Sequence, residues 1–175
     1  MKIIIALFTG LFLFTLASGS VFAQHRNLTV VLLRHAEKDA APAADKVNPE
    51  LSAEGKLRAQ KLVKVVNKYK PDAIYSSDFI RTRTTVAPLA EKRRLAVAVY
   101  DHRDLKKLAD LIMSGKIKRL VVVGHNTTTP ALVNLLIGAE KYKALAESEY
   151  DKIWVVKIKK QKTGPSKIKE KVITY

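Results

Sequence analysis

The sequence contains no cysteine among its 175 residues. This absence excludes a disulfide framework, and it also excludes a lipid attached to a cysteine at a processing site. The fold must therefore be held by its hydrophobic core alone, which is feasible for a domain of roughly 150 residues. Internal repeats and long linkers are also lacking, so the sequence predicts one domain.

Acidic residues are scarce. The chain has 16 Asp and Glu against 32 Lys and Arg, a formal net charge of +16. Such an excess favours anionic partners, namely phosphorylated small molecules, nucleic acid, anionic lipids or lipopolysaccharide. Residues 152–171 hold eight lysines and one acid, Glu170. A run of this kind is usually a solvated face, and an anion-binding surface is the alternative.

Long hydrophobic runs are confined to the N-terminus. Lys2 precedes the apolar run IIIALFTGLFLFTLASG, and the following SVFAQ offers small residues at Val21 and Ala23. This order predicts a signal peptide over residues 1–23, with cleavage after Ala23, and a periplasmic or secreted domain over residues 24–175. An uncleaved membrane anchor is the alternative, because the run approaches the lower limit of a spanning helix, roughly 17 residues.

Short β-branched runs alternate with amphipathic stretches along the rest of the chain. Ser52 begins a helix that Pro71 prevents from continuing, a second helix stops near Gly115, and a third has Thr129 as its cap, Pro130 at its first position and Gly138 at its end. Strands are predicted at residues 28–33, 73–75, 95–100 and 119–123. The alternation predicts an α/β fold, a single three-layer α/β/α domain with a mostly parallel central sheet.

The C-terminal segment has a different pattern. KIWVVKIKK and KIKEKVIT both alternate between apolar and polar residues, and TGPS lies between them. This pattern predicts an antiparallel hairpin at an edge of the sheet. On such a hairpin, alternation would place lysines on a common face, namely Lys157 and Lys159 on one strand and Lys167, Lys169 and Lys171 on the other.

Polar clusters follow three of the predicted strands. LLRHAEK continues the first, SSDFIRTRTT the second, and GHNTTTP the fourth. In an open α/β sheet, the loops at the carboxyl ends of the strands converge on one crevice, where ligands bind. We therefore expect Arg34, His35, Arg81 and His125 to meet there. Three such clusters argue against the alternative that each is an ordinary strand end.

The order and spacing of LLRHAEK, LSAEG, IYSSDFIRTRTT and VVVGHN resemble the histidine phosphatase superfamily, in particular its compact branch similar to the phosphohistidine phosphatases. The resemblance implies a phosphoglycerate mutase-like fold, a nucleophilic His35, and a phosphoryl pocket formed by Arg34, Arg81 and His125. Asn126, in the same loop, is assigned to phosphate binding. One position departs from the family pattern, because Ala36 replaces a glycine and alanine tolerates positive φ poorly.

The residue types suit the implied chemistry. A neutral imidazole is a competent nucleophile near neutral pH, and attack on phosphorus gives a phosphohistidine intermediate. Arginines supply paired N–H donors for the phosphoryl oxygens, so no metal or other cofactor is required. The helix start near Pro130 offers a further anion site.

A proton donor for the leaving oxygen is not obvious. Glu37 is the first candidate, with Asp101 and Asp104 as close alternatives, and Glu37 as a mere ion-pair partner is the competing interpretation. If no acid operates, the substrates should have good leaving groups, because protonation contributes roughly 100-fold or more. His102 is interpreted as a loop residue, and residues 39–50 as a candidate cover for the crevice.

The leading hypothesis is an exported, metal-independent phosphoric monoester hydrolase that acts through a phosphohistidine on His35. The alternative is a non-catalytic module that binds phosphorylated or polyanionic envelope components. A mutase is disfavoured by the small size of the chain, by the missing acid-rich insertion and by the export signal. The lysine-rich hairpin suggests contact with an anionic membrane surface or lipopolysaccharide, and nucleic acid is not expected as a partner.

Overall fold

The computed structural model describes residues 26–41 and 43–175. The predicted signal peptide, residues 1–23, lies outside the described residues. Within the described ranges, no helix has the length and apolar character needed to cross a membrane.

The described residues form one mixed sheet of six strands in the order β3-β2-β4-β1-β5-β6. Strands β1, β4, β2 and β3 pair in parallel, whereas β5 pairs antiparallel with both β1 and β6. The predicted mostly parallel sheet with a C-terminal antiparallel hairpin is therefore confirmed. The strands span β1 Asn27–Arg34, β2 Ala73–Ser77, β3 Val97–Tyr100, β4 Arg119–Gly124, β5 Lys152–Lys159 and β6 Lys167–Thr174.

Four α-helices connect the strands in the described chain. The predicted caps largely hold, because Ser52 Oγ accepts a hydrogen bond from the Gly55 N–H and both Gly115 and Gly138 end helices in the left-handed conformation. The helices span α1 Ala53–Val66, with a 3-10 turn at Asn67–Tyr69, α2 Ile80–Arg93, α3 Leu105–Ser114 and α4 Thr128–Ile137.

One predicted helix boundary is wrong. Helix α4 begins at Thr128, with Thr127 at the N-cap, rather than with Thr129 as its cap. The hydroxyl of Thr128 accepts from the His125 N–H, and that of Thr129 donates to the Leu33 carbonyl. These hydroxyls therefore tie the helix start to the ends of β1 and β4. Pro130 is still within the first turn, where a missing N–H costs nothing.

The two faces of the sheet carry separate hydrophobic clusters, which makes the domain three-layered as predicted. Along β1, Val30 and Leu32 face α3 and α4, and Val31 and Leu33 face α1 and α2. All four side chains are buried. Because β1, β2 and β4 are parallel, they end at the same edge of this packed sheet, where the candidate site lies.

Candidate functional site

The structure brings the polar clusters after β1, β2 and β4 into one pocket of about 320 Å³. Arg34 lies opposite Gly124 in the parallel register, so His35 and His125 leave adjacent strands together. Their ring centroids are 5.4 Å apart. The pocket is lined by the predicted residues Arg34, His35, Arg81, His125 and Asn126, and also by Lys38, Phe79, His102, Thr127, Thr128 and Glu147.

His35 is held as a neutral imidazole with a defined tautomer. Its Nδ1 lies 2.8 Å from the Ala36 carbonyl oxygen, which only accepts hydrogen bonds, so the proton belongs on Nδ1 and Nε2 keeps its lone pair. Burial lowers the pKa of His35 from 6.5 to about 4, and the positive charges of Arg34 and Arg81 act in the same direction. At neutral pH this ring therefore offers an unprotonated nitrogen.

His125 is anchored by the end of β2. Its Nε2 lies 2.9 Å from the hydroxyl of Ser77, and its backbone N–H donates to the Thr128 hydroxyl. Burial, followed by the neighbouring His35 and Arg81, lowers the pKa of His125 to about 3. With no anion bound, His125 is therefore neutral, and a bound dianion would favour its protonation.

Arg34 is a buried side chain held by the loop between α4 and β5. Its Nη1 donates to three carbonyl oxygens, those of Ala146 at 2.9 Å and of Glu147 and Glu149 at 3.0 Å. Its guanidinium carbon lies 4.1 Å from the centroid of the Tyr150 ring. This loop therefore orients Arg34. The Nε of Arg34 is buried and has no hydrogen-bond partner among the described residues.

Arg81 lies at the start of α2, with its guanidinium carbon 4.3 Å from the centroid of the Phe79 ring. Its Nε and Nη1 are buried and have no acceptor within the described part of the chain. Burial lowers the pKa of Arg81, and the charge of Arg34 adds to this effect. Buried N–H groups without partners are costly, so these donors are available to an acceptor that enters the pocket.

The three carboxylates predicted as proton donors do not line this pocket. The Glu37 side chain is partly buried, and its Oε1 and Oε2 accept hydrogen bonds from the Arg58 Nε at 2.7 and 2.9 Å. Although burial favours its protonated form, these hydrogen bonds hold the pKa of Glu37 below its usual value. Asp101 pairs with Arg103 at the surface, and Asp104 caps α3 through the Lys107 N–H.

The carboxylate that does line the pocket is Glu147, which sequence reasoning did not select. It accepts from Arg34 Nη2 at 2.9 Å and from Asn126 Nδ2 at 3.0 Å, and Lys38 Nζ lies 3.9 Å away. Glu147 belongs to a loop with no motif, more than 100 residues after Arg34 in the chain. No sequence signal could have placed it here.

His102 also lines the pocket, although the sequence analysis interpreted it as an ordinary loop residue. Its ring centroid lies 5.8 Å from that of His125 and 5.3 Å from that of Phe79. The signal for this placement was available, because His102 follows the end of the parallel strand β3 just as the other polar clusters follow theirs.

Two small residues explain how the chain after His35 is positioned. A Cβ on Gly55 would lie 2.2 Å from the Glu37 carbonyl oxygen, so α1 approaches this backbone too closely for any side chain. Ala36 is fully buried, and its N–H donates to the Thr85 hydroxyl. It does not adopt positive φ, which among described non-glycine residues occurs at Lys70 and Arg94. Alanine therefore fits this position without strain.

Residues 39–50, the predicted cover, do not take this role in their described part. Among the described residues of this segment, none lines the pocket. Asn48 instead accepts a hydrogen bond from the Ile80 N–H and so caps the start of α2, the helix that carries Arg81. The segment therefore contributes to the position of α2.

The burial of the two histidines predicts an acid-sensitive fold. Their folded-state pKa values, about 4 for His35 and about 3 for His125, lie below the ordinary 6.5. The unfolded chain therefore takes up protons that the folded chain does not, and stability falls as the pH drops from about 6.5 to about 4. Each histidine contributes at most about 1.4 kcal/mol per pH unit.

Urea unfolding in an anion-poor buffer, at about pH 7 and about pH 5, measures this dependence. The variant His125→Asn should show a shallower loss of unfolding free energy than the parent over the same interval. Identical slopes for the two proteins would contradict the assignment of a neutral, buried His125.

Comparison with known proteins agrees with this geometry. The family model described as "Histidine phosphatase superfamily (branch 1)" matches residues 30–109, which include Arg34, His35 and Arg81. No curated protein matches the sequence.

Solved structures share the fold at low identity. SixA from Agrobacterium tumefaciens is 23% identical, with 74% of this chain and 90% of that chain covered and a TM-score of 0.57. Mycobacterial hydrolase 2 is 18% identical, with 83% and 90% covered and a TM-score of 0.66. A mycobacterial glucosyl-3-phosphoglycerate phosphatase solved with VO3 is 19% identical, with 86% and 98% covered and a TM-score of 0.63. In its motifs, in residues 30–109 and in its fold, this chain is therefore similar to the histidine phosphatase superfamily.

Proposed function

We propose that this protein is a metal-independent phosphatase that hydrolyses phosphomonoesters or related phosphoryl groups through a phosphohistidine on His35. The observation that carries the proposal is the combination of an unprotonated imidazole with buried guanidinium N–H groups that have no acceptor among the described residues. These groups are Nε and Nη1 of Arg81 and Nε of Arg34. A phosphoryl group would supply the missing acceptors and would lie beside the nucleophile.

In the first step, Nε2 of His35 attacks phosphorus, the N–P bond forms, and the ester or anhydride P–O bond breaks. In the second step, water attacks the phosphohistidine and releases inorganic phosphate. Arg34 and Arg81 stabilise the charge on the phosphoryl oxygens in both steps, and Asn126 and a protonated His125 add donors. The positive charge for catalysis comes from side chains, so the proposal needs no metal.

The position of the carboxylates bears on the substrate class. Glu147 is the carboxylate beside the pocket, and both of its oxygens are engaged as acceptors, Oε2 by Arg34 and Oε1 by Asn126. Neither oxygen is therefore placed to donate a proton to the leaving oxygen. We therefore expect substrates whose leaving groups need little protonation, such as aryl phosphates, acyl phosphates or other phosphoanhydrides.

A panel of phosphorylated compounds ordered by leaving-group pKa tests this function. Turnover should be at least about 100-fold faster for aryl and acyl phosphates than for alkyl phosphates, since general acid catalysis contributes that much where it operates. A metal chelator should leave the rate unchanged. Equal rates along the panel would contradict the absence of an acid. Vanadate binding without any turnover would favour the alternative, a non-catalytic binding module.

We also propose that the domain is exported, on the basis of the apolar run and the SVFAQ junction. Expressed in a bacterium, the full chain should yield a protein that begins at Gln24 and is recovered in the soluble envelope fraction. N-terminal sequencing of that fraction is the measurement. Retention of residues 1–23, with recovery in the membrane pellet, would instead establish the anchor.

A further inference from the structure

A second concentration of charge lies on the C-terminal hairpin, at the end of the sheet away from the catalytic pocket. The register of β5 and β6 places Lys157 opposite Lys169 and Lys159 opposite Lys167. Like charges that face each other across two strands are destabilising. Two such pairs follow in succession, so this surface carries a repulsion that an anion would relieve. We call these four residues the lysine face.

The lysine face has no counterion of its own within the described chain. All four side chains are exposed, and the ion pairs of the described residues include none of them. Nearby lysines differ, because Lys141 pairs with Glu170 and Lys152 pairs with Glu149. The four lysines line a shallow groove of about 440 Å³ together with Asn27, Leu28, Thr29 and Ile158.

The packing of the sheet explains why this surface is uncovered. On the same side of β5, Ile153 and Val155 are buried in the cluster that α1 and α2 cover. Two and four residues further along, Lys157 and Lys159 are exposed. The helical layer therefore ends before the lysine face, and the sheet continues beyond it as a cationic surface. Lys171, opposite Val155 on the edge strand, is also exposed.

We propose that the lysine face docks the domain on an anionic lipid surface by binding the phosphate groups of its headgroups. Charge complementarity supports an anionic occupant. The position supports a lipid surface over nucleic acid, because Lys157 and Lys159 pair with Thr29 and Asn27 at the beginning of β1. This point follows the proposed cleavage after Ala23 by only a few residues, so the lysine face would lie next to a membrane when the exported chain is released.

Docking of this kind would set the orientation of the catalytic pocket. Thr29 and Arg34 are five residues apart on β1, roughly 17 Å at the rise of an extended strand. The pocket would then open away from the lipid. If the proposed phosphatase function holds, the substrates are soluble phosphorylated compounds rather than lipids of the docking surface.

Vesicle sedimentation tests the docking without any substrate, so its outcome does not depend on the phosphatase function. Both hydrophobic clusters lie within residues 28–175, so a chain that begins at Gln24 contains the whole described fold and lacks the apolar run. This chain should bind vesicles containing phosphatidylglycerol, should not bind pure phosphatidylcholine, and should lose binding steeply as salt is raised.

Two variants of equal charge distinguish the lysine face from net charge. Replacing its four lysines by glutamine should weaken vesicle binding at least 100-fold, since each lysine near such a surface contributes about fivefold. The matched control replaces four exposed lysines elsewhere, Lys56, Lys61, Lys107 and Lys143, and should change binding far less. Equal losses in the two variants would overturn the proposal, as would binding to single-stranded DNA but not to vesicles. Circular dichroism verifies that both variants are folded.

Discussion

Replacement of His35 by alanine is expected to abolish turnover and to remove the phosphorylated form of the protein. The reason is that Nε2 of His35 is the nitrogen that the tautomer leaves unprotonated in the pocket. Quenching the parent protein without acid during turnover should reveal phosphate bound through nitrogen, labile in acid and stable in alkali. The His35→Ala protein should show neither this species nor hydrolysis above the uncatalysed rate.

Two further variants make this experiment decisive. His35→Asn retains a polar side chain at a buried position, which guards against a loss of activity caused by unfolding. His102→Ala removes the other histidine that lines the pocket near His125, and this protein should still become phosphorylated. The mechanism is excluded if the His35→Ala protein hydrolyses substrate at the parent rate, or if the phosphorylated form persists in it.

Replacement of Arg81 by alanine is expected to lower kcat/KM by about 100- to 1000-fold, a loss of roughly 2.7–4 kcal/mol of transition-state stabilisation. Vanadate binding should weaken in parallel, because Nε and Nη1 of Arg81 have no acceptor among the described residues and are available to a bound anion. Arg81→Lys should recover little of the lost kcat/KM or vanadate binding, since an ammonium group cannot present two N–H donors in the fixed planar arrangement of a guanidinium.

Arg83 provides a matched control two residues along the same helix. Its guanidinium pairs with Asp78 at the surface, so Arg83→Ala should leave kcat/KM nearly unchanged. Thermal unfolding gives an independent readout, because removing a half-buried cation whose buried Nε and Nη1 have no described partner should not lower the Tm of the Arg81→Ala protein. A loss of activity in Arg83→Ala as large as in Arg81→Ala would contradict the assignment.

The part of the site that could be predicted from the sequence is the part carried by parallel strands. Arg34, His35 and His125 lie at or just beyond strand ends, and Arg81 lies in the first turn of the helix after β2. A rule about where parallel strands end is therefore enough to bring them together. The same rule applied to β3 would have added His102. The hairpin was predictable for an equally local reason, its period of two.

The residues that sequence reasoning misplaced depend on tertiary contacts. Glu37 follows the nucleophile closely in sequence, but the chain leaves the sheet after Arg34. The Glu37 carboxylate then forms an ion pair with Arg58 on α1 instead of lining the pocket. Glu147 reaches the pocket because Arg34 binds its loop, a contact between residues far apart in the chain. The start of α4 was misjudged because two threonine hydroxyls bind strand ends instead of capping the helix.

The three carbonyl contacts of Arg34 affect how its variants can be interpreted. Nη1 of this guanidinium holds the carbonyls of residues 146–149 and Nη2 binds Glu147, while Arg34 also lines the pocket. An Arg34→Ala protein would therefore lose both the positive charge in the pocket and the hydrogen bonds that hold the loop. Its loss of activity would not measure either effect alone. A double-mutant cycle between Arg34 and Glu147 should accordingly be strongly non-additive, since the two side chains and the loop form one cooperative unit.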